Sequence, residues 1–461
     1  MIKLAIVTIL FLSRTTVHAQ DWVITSVAAG TKPALDVDSQ GNPHLSYVLS
    51  SPTGWVRYAV WNPLTSEFDT AEVSPGNLEG PTAIGLDRND VPHIVYHRHD
   101  QPPDQVHAYP SGPVWVNEDI SDPNHDGWDN SIAFDSNNLP HTSSIDPSSY
   151  PGSTGIEYAW YDGVAWHVEQ IGSTLVNFFG GTSIAIDAAD NPHITYYDDI
   201  TDDLMYAVRE NNVWTIVPIE TDGDAGRFSS LELDSQGYPV IGYFKYLSGT
   251  IGVVRLAWFS GSSWDFATVD TLAEVNVPGA RSAVSLALDG ENEPHLGYGD
   301  QKVVRYAYRT GTTWETETIV DHSMGTTILG HVTSLELGIL DQPHIAYYEA
   351  GGLGAVKHAT RLMATEVGGG STHSSDFVLL QNYPNPFNPS TEITFRLPTA
   401  AHVTLKIYDL IGREVATLVD GQLPAGAHLR RWNAEGLPSG VYFYRLQAGT
   451  FTATKRLILL L

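Results

Sequence analysis

The sequence contains no cysteine. Disulfides, cysteine-ligated zinc and thiol nucleophiles are therefore excluded. A chain destined for an oxidising compartment without disulfides must rest on its hydrophobic core, and 461 residues are enough to build one. Basic residues are also few: 24 Lys and Arg stand against 53 Asp and Glu, a formal net charge of −29. Such a field repels phosphate backbones and argues against nucleic acid as a partner. No apolar run reaches the roughly 18 residues that a transmembrane helix needs, so no transmembrane segment is expected. Methionine is scarce at 4, while Trp and Tyr number 12 and 22. Aromatic side chains fit pleated, half-buried surfaces, so this balance leans toward β structure.

What is present begins with an export signal. Lys3 supplies a positive start, Leu4 to Leu12 a short apolar stretch, and Val17-His18-Ala19 a small-residue cleavage site. Residues 1–19 read as a signal peptide, with the mature chain starting near Gln20.

Residues 20–363 are built on a sevenfold repeat. DSQGNPHLSY at Asp38 recurs as DRNDVPHIVY, DSNNLPHTSS, DAADNPHITY, DSQGYPVIGY, DGENEPHLGY and GILDQPHIAY. The anchor prolines are Pro43, Pro92, Pro140, Pro192, Pro239, Pro294 and Pro343, spaced 49, 48, 52, 47, 55 and 49 residues apart. Each copy resolves into an alternating first strand, a polar turn, and a second strand opened by the proline, where a missing N–H is tolerated. A third strand follows, carrying a recurrent alanine (Ala59, Ala108, Ala159, Ala207, Ala257, Ala307, Ala359), and then an outer strand of the form W-x-x-x-x-I/V. The seventh copy lacks that outer strand, but a matching one, Trp22 to Val27, opens the mature chain. The fold class expected is all-β: a seven-bladed β-propeller closed by its N-terminal strand, which protects an otherwise open edge. In general form the repeats resemble bacterial BNR-like and sialidase-like propellers. Asp162-Gly163-Val164-Ala165-Trp166 and Ser260-Gly261-Ser262-Ser263-Trp264 keep the G-x-x-W end of the sialidase Asp-box and lose its Ser-x-Asp end.

A small-residue linker, residues 364–375, precedes a second domain at residues 376–461. Its period-two runs, broken by Pro and Gly turns, read as a small β-sandwich. The runs NYPNPFNPST, IYDLIGREV and SGVYFYRL resemble the type IX secretion system type A sorting domain, an Ig-like module. The resemblance implies export of folded cargo through the type IX machinery to the outer-membrane surface or the medium. The terminal KRLILLL departs from the basic ending of many relatives.

In a propeller the loops joining second to third strands, and one blade to the next, share a face. Here those loops are long and irregular, and variable loops on a rigid scaffold carry binding groups. The binding-face candidates are His97, Arg98, His99, Asp100, Trp128, Asp198, Asp199, Asp202, Asp203, Arg227, Lys245 and Tyr246. Six anchor prolines are followed by His (His44, His93, His141, His193, His295, His344). Blade symmetry separates these positions around a ring, whereas zinc needs ligands converging at about 2 Å, so hydrogen bonding within each blade is expected. No motif requires a cofactor. Calcium is the one ion whose ligand spacing occurs, as D-x-N-x-D-G at Asp122, Asn124 and Asp126, with Asp129 or Asn130 available to close the site in place of a bidentate Glu.

No catalytic constellation stands out. The function expected is a non-catalytic, secreted or cell-surface module that binds a glycan or a protein. A glycan-active hydrolase or lyase on the same scaffold, and a structural surface component, are the alternatives.

Overall fold

The computed structural model describes residues 22–49, 54–63, 65–74, 80–98, 104–120, 127–146, 155–172, 180–248, 251–272, 284–300, 302–323, 328–350, 354–361, 377–379, 382, 387, 389–424, 426–449 and 451–459. The described residues are overwhelmingly strand, and the one helical element among them is the short turn Ile339–Asp341. Seven four-stranded antiparallel sheets follow one another along the chain, at residues 31–74, 83–119, 128–171, 182–220, 225–272, 284–321 and 328–361. They are numbered 1 to 7 here. The chain supplies only three strands of sheet 7 from its own repeat; the fourth is Trp22–Ala29, paired with Ala355–Arg361. The first strand of each sheet packs on that of the next, and Ile328–Leu337 of sheet 7 packs back on Thr31–Val37 of sheet 1.

The repeat signals have physical reasons. Each anchor proline is the first residue of a second strand. All seven recurrent alanines are at most 1% exposed, at points where neighbouring sheets press together. A larger side chain there would overpack the contact.

Adjacent sheets are also joined by side-chain hydrogen bonds, at a position the sequence reading passed over. Nine residues before the anchor proline, five sheets carry serine. Each Oγ accepts the backbone N–H of the next innermost strand: Ser131 from Ile184 (3.2 Å), Ser183 from Leu231 (3.0 Å), Ser230 from Leu286 (3.0 Å), Ser285 from Leu335 (2.8 Å) and Ser334 from Leu35 (3.0 Å). The last of these links sheet 7 to sheet 1. Sheets 1 and 2 have Ala34 and Ala83 at that position. Asp36 there accepts the N–H of Leu86 instead, at 2.6 Å.

A second set of links runs around the turn face. Asp90, Asn138, Asp190 and Asn292 occupy the left-handed region, with φ between 60° and 66°, which Asn and Asp tolerate best after Gly. Their side chains accept backbone N–H groups of Ser39, Arg88, Ser136 and Ser235 in the preceding sheets.

The histidines stay within their own sheets. His44, His141, His193 and His295 bond through Nδ1 to the hydroxyls of Tyr58, Tyr158, Tyr206 and Tyr306 at 2.5–2.6 Å. His93 and His344 bond instead to His107 (2.7 Å) and His358 (3.0 Å). Burial lowers most of these imidazole pKa values, that of His93 to about 4.

The C-terminal residues form a three-stranded sheet (Val378–Leu379, Ser390–Leu397, Gly426–Asn433) and a four-stranded one (Glu414–Leu423, Ala401–Tyr408, Gly440–Ala448, Phe451–Leu459). Phe387, Phe395, Trp432, Tyr444 and Leu446 fill one core with residues from both sheets. This arrangement fits the expected Ig-like form.

Candidate functional site

The innermost strands of all seven sheets line one central concavity of about 270 Å³. Its rim lies where each innermost strand begins, on the face of the long loops. Eleven residues before the anchor proline, four sheets place a residue at positive φ: Lys32 (54°), Asp129 (48°), Gly181 (71°) and Phe228 (49°). The pairing register slips beside three of them, between Thr31 and Ala34, Trp128 and Ser131, and Arg227 and Ser230. These are β-bulges, which re-aim side chains and concentrate near functional sites. A bulky residue such as Phe228 in the left-handed region costs about 1–3 kcal/mol and is held there by its surroundings. Its N–H donates to Gly180 O at 2.7 Å. Gly181 makes room for it: a Cβ at that position would lie 2.9 Å from Phe228 Cδ1. Phe228 is half-buried and, with Asn130, Thr82 and Thr182, lines the concavity.

Three carboxylates face one another further in, all seven residues before an anchor proline: Asp36, Glu232 and Glu336. Glu232 and Glu336 line the concavity, so their small accessible surface opens into it. Burial, reinforced by mutual repulsion, favours their neutral forms. Asp36 is pushed up to about 6 by burial, with repulsion from Asp90 adding to the rise, against the N–H groups of Leu86 and Val37 and the charge of His44. Glu232 rises to about 8 through burial and then Asp36. Glu336 rises well above its ordinary value through burial, then Asp36 and Glu232.

The sequence-predicted residues fall on the loop face, where the structure brings several together in pairs. His97 is 1% exposed and lies beneath Trp128, with ring centroids 4.6 Å apart. Gly127 precedes that contact at φ 60°, and a Cβ there would come within 2.4 Å of Gln105 Cβ. Gln105 donates to Asn130 Oδ1 at 2.6 Å. Arg98 reaches out to Asp119 at 2.8 Å. Arg227 pairs with Asp224 at 3.1 Å, stacks over Tyr197 at 4.4 Å and donates to its hydroxyl, which in turn donates to Asp202. Lys245 is buried between Glu220 (3.3 Å) and Asp222 (3.1 Å). Tyr246 N–H donates to Asp224 O at 2.8 Å. Asp198 accepts the N–H of Ile200 at 2.9 Å, and pairs in register with Asp203. Asp199 is half-buried in the turn that follows. His99, Asp100, Asp122, Asn124 and Asp126 lie outside the described residues. Among the described residues, no three His, Asp or Glu side chains converge as a metal site. Asp129, a proposed ion ligand, sits in the rim bulge and is 4% exposed.

The reading from sequence named Arg227, next to Phe228, but missed Lys32 and the three inner carboxylates. Their common signal is a fixed offset from the anchor proline.

No curated protein matches the chain. Among solved structures, a polysaccharide lyase described as ulvan lyase bound to a GlcA(1-4)Rha3S saccharide is 13% identical, with a TM-score of 0.51 over 74% of this chain and 94% of that one. A fungal alcohol oxidase with copper is 10% identical, with a TM-score of 0.52 over 96% and 100%. PorZ, a surface component of the type IX secretion system of Porphyromonas gingivalis, is 11% identical, with a TM-score of 0.37 over 93% and 70%. The likeness to the lyase and the oxidase lies in the fold. Residues 381–460 match the family described as the secretion system C-terminal sorting domain. The C-terminal region is thus a type IX secretion sorting domain, and the protein that carries it is cargo for the cell surface or the extracellular space.

Proposed function

We propose that sheets 1 to 7 form a seven-bladed β-propeller closed by Trp22–Ala29, and that it binds a glycan without cleaving it, at the rim of its central concavity. The Ig-like sorting domain delivers it. The observation that carries the binding site is the set of positive-φ positions at Lys32, Asp129, Gly181 and Phe228, three of them beside β-bulges. They set the Phe228 ring on the wall of the concavity beside Thr82, Asn130 and Thr182, at a cost in backbone strain. An aromatic face beside amide and hydroxyl groups suits a sugar, whose faces are apolar and whose edges are polar. A fold shared with a polysaccharide lyase that holds a saccharide is compatible with this reading. The acids and cations of the surrounding loops are engaged with one another, and Tyr197, between Arg227 and Asp202, is fully buried. That disposition favours binding over catalysis. Calcium is the ion proposed for the loop from Asp122 to Asn130.

The purified chain should be titrated by calorimetry with neutral and anionic polysaccharides while the same mixtures are followed for new chain ends. Binding without cleavage is expected. Phe228→Gly removes the ring and keeps the backbone conformation, since glycine adopts positive φ freely. It should weaken binding by about tenfold or more, equivalent to about 1.4 kcal/mol, without lowering the melting temperature. Cleavage by the wild-type chain, or affinity unchanged in the variant, would overturn the proposal.

A further inference from the structure

Seven turns among the described residues share one hydrogen-bond pattern. In the propeller-like part they start at Asp38, Asp87, Asp135, Asp187, Asp234 and Asp289; the seventh starts at Asp409 in the sorting domain. In each, the Asp side chain accepts the N–H groups two and four residues on. Its backbone bonds to the residues three and four on. At Asp409 the partners are Ile411 (3.1 Å), Arg413 (2.9 Å), Gly412 (3.0 Å) and Arg413 O (3.0 Å). At Asp38 they are Gln40 (2.9 Å), Asn42 (2.8 Å), Gly41 (2.9 Å) and Asn42 O (3.0 Å). The pattern places no demand on the two residues at the tip. Six turns fill it with Ser39-Gln40, Arg88-Asn89, Ser136-Asn137, Ala188-Ala189, Ser235-Gln236 and Gly290-Glu291. The sorting domain alone fills it with Leu410-Ile411, 68% and 75% exposed.

Two large apolar side chains held out on a rigid tip gain nothing from folding. We infer that Leu410 and Ile411 are an anchor by which the sorting domain docks into an apolar pocket of a protein of the secretion machinery. The inference rests on the sorting-domain assignment. The surroundings of the tip fit a protein socket: Arg413 pairs with Asp409 at 2.7 Å, and Lys406 with Glu414 at 2.8 Å. An apolar anchor inside a polar rim is the usual anatomy of a binding hot spot. A lipid surface fits poorly. The charges at the tip balance in pairs, and two side chains give little buried area.

The test replaces Leu410-Ile411 with Ser-Gln, the pair that occupies the same turn at Ser39-Gln40 and Ser235-Gln236. The full-length chain is expressed in a bacterium with a working type IX system and fractionated. Two further chains run in parallel: a deletion of residues 376–461, and Leu410→Gln alone in case the double variant folds poorly. Surface delivery of the swapped chain should fall by about tenfold or more, with the protein accumulating in the periplasm and the purified chain melting as the wild type does. Normal delivery of the swapped chain overturns the anchor. So does wild-type binding to phosphatidylethanolamine–phosphatidylglycerol vesicles that the swap abolishes, because the partner would then be lipid. Normal delivery of the deleted chain instead overturns the sorting assignment itself.

Discussion

Glu336 and its neighbours Asp36 and Glu232 show how a repeat can hide chemistry. In four of the seven copies the equivalent position is Gly85, Ala133, Ala185 or Ala287, so alignment of the repeats gives it no acidic signature. Only the packing of the innermost strands brings the three acids to face one another. Their folded-state pKa values lie above the unfolded values, so the native chain holds protons that the unfolded chain releases. The stability tied to these protons is complete below about pH 4.5, the unfolded range. It is lost as pH rises through about 6 for Asp36 and about 8 for Glu232. Denaturant melts should therefore show stability falling from pH 5 to pH 8. Glu232→Gln should flatten that slope and stabilise the chain at pH 8 by roughly 2 kcal/mol, the worth of about one and a half pKa units once solvent screening in the channel is allowed for. A slope unchanged by the substitution would mean that burial and Asp36 do not hold the proton on Glu232. The rim was hidden for a related reason. Nothing in the residue types Lys32, Asp129 and Phe228 announces a positive φ, whereas at Gly41 and Gly237 in the turns the glycine itself does.

The strand repeat was legible because each element carries a residue tied to its geometry: a proline that opens the second strand, an alanine at the tightest contact, a tryptophan at the start of the outer strand. Trp22 extends the pattern. Its Nε1 donates to Glu317 at 2.9 Å, and Glu317 also binds Arg361 at 2.7 Å. Trp214 does the same in sheet 4, donating to Glu169 at 2.7 Å, with Arg209 on that carboxylate at 2.8 Å. The N-terminal strand thus repeats the contacts of an outer strand of the repeat. Trp22→Ala and Trp214→Ala should each cost roughly 3 kcal/mol, the low end for aromatic truncation because both are half-buried. Urea melts check this, and a harmless Trp22→Ala would sink the closed ring. The serine ring was missed although it recurs in five copies, because a serine on an alternating strand reads as one more polar residue. The calcium proposed for the loop from Asp122 to Asn130 belongs at this scale too. Calcium at a hundredfold excess over its dissociation constant stabilises by about 2.7 kcal/mol. Chelator-treated protein should melt a few degrees higher with calcium and not with magnesium, and Asp122→Ala or Asp126→Ala should remove the rise. The same melting point with and without calcium would leave the loop an Asx-rich turn.

At the scale of the whole molecule, the order of the chain sets the order of events. The strand Trp22–Ala29 is made first, yet its partner Ala355–Arg361 is among the last parts of the seven sheets to be made. Sheet 7 therefore has no way to complete itself until the chain has been made to residue 361, and unpaired strands meanwhile present open edges to other chains. The sorting domain follows the partner strand in the chain, beyond the linker. A polypeptide cut short anywhere before residue 361 lacks the means to close and also lacks its export address. Gene order alone thus works as a proofreading step: only a chain long enough to finish its fold carries the label that lets it leave the periplasm.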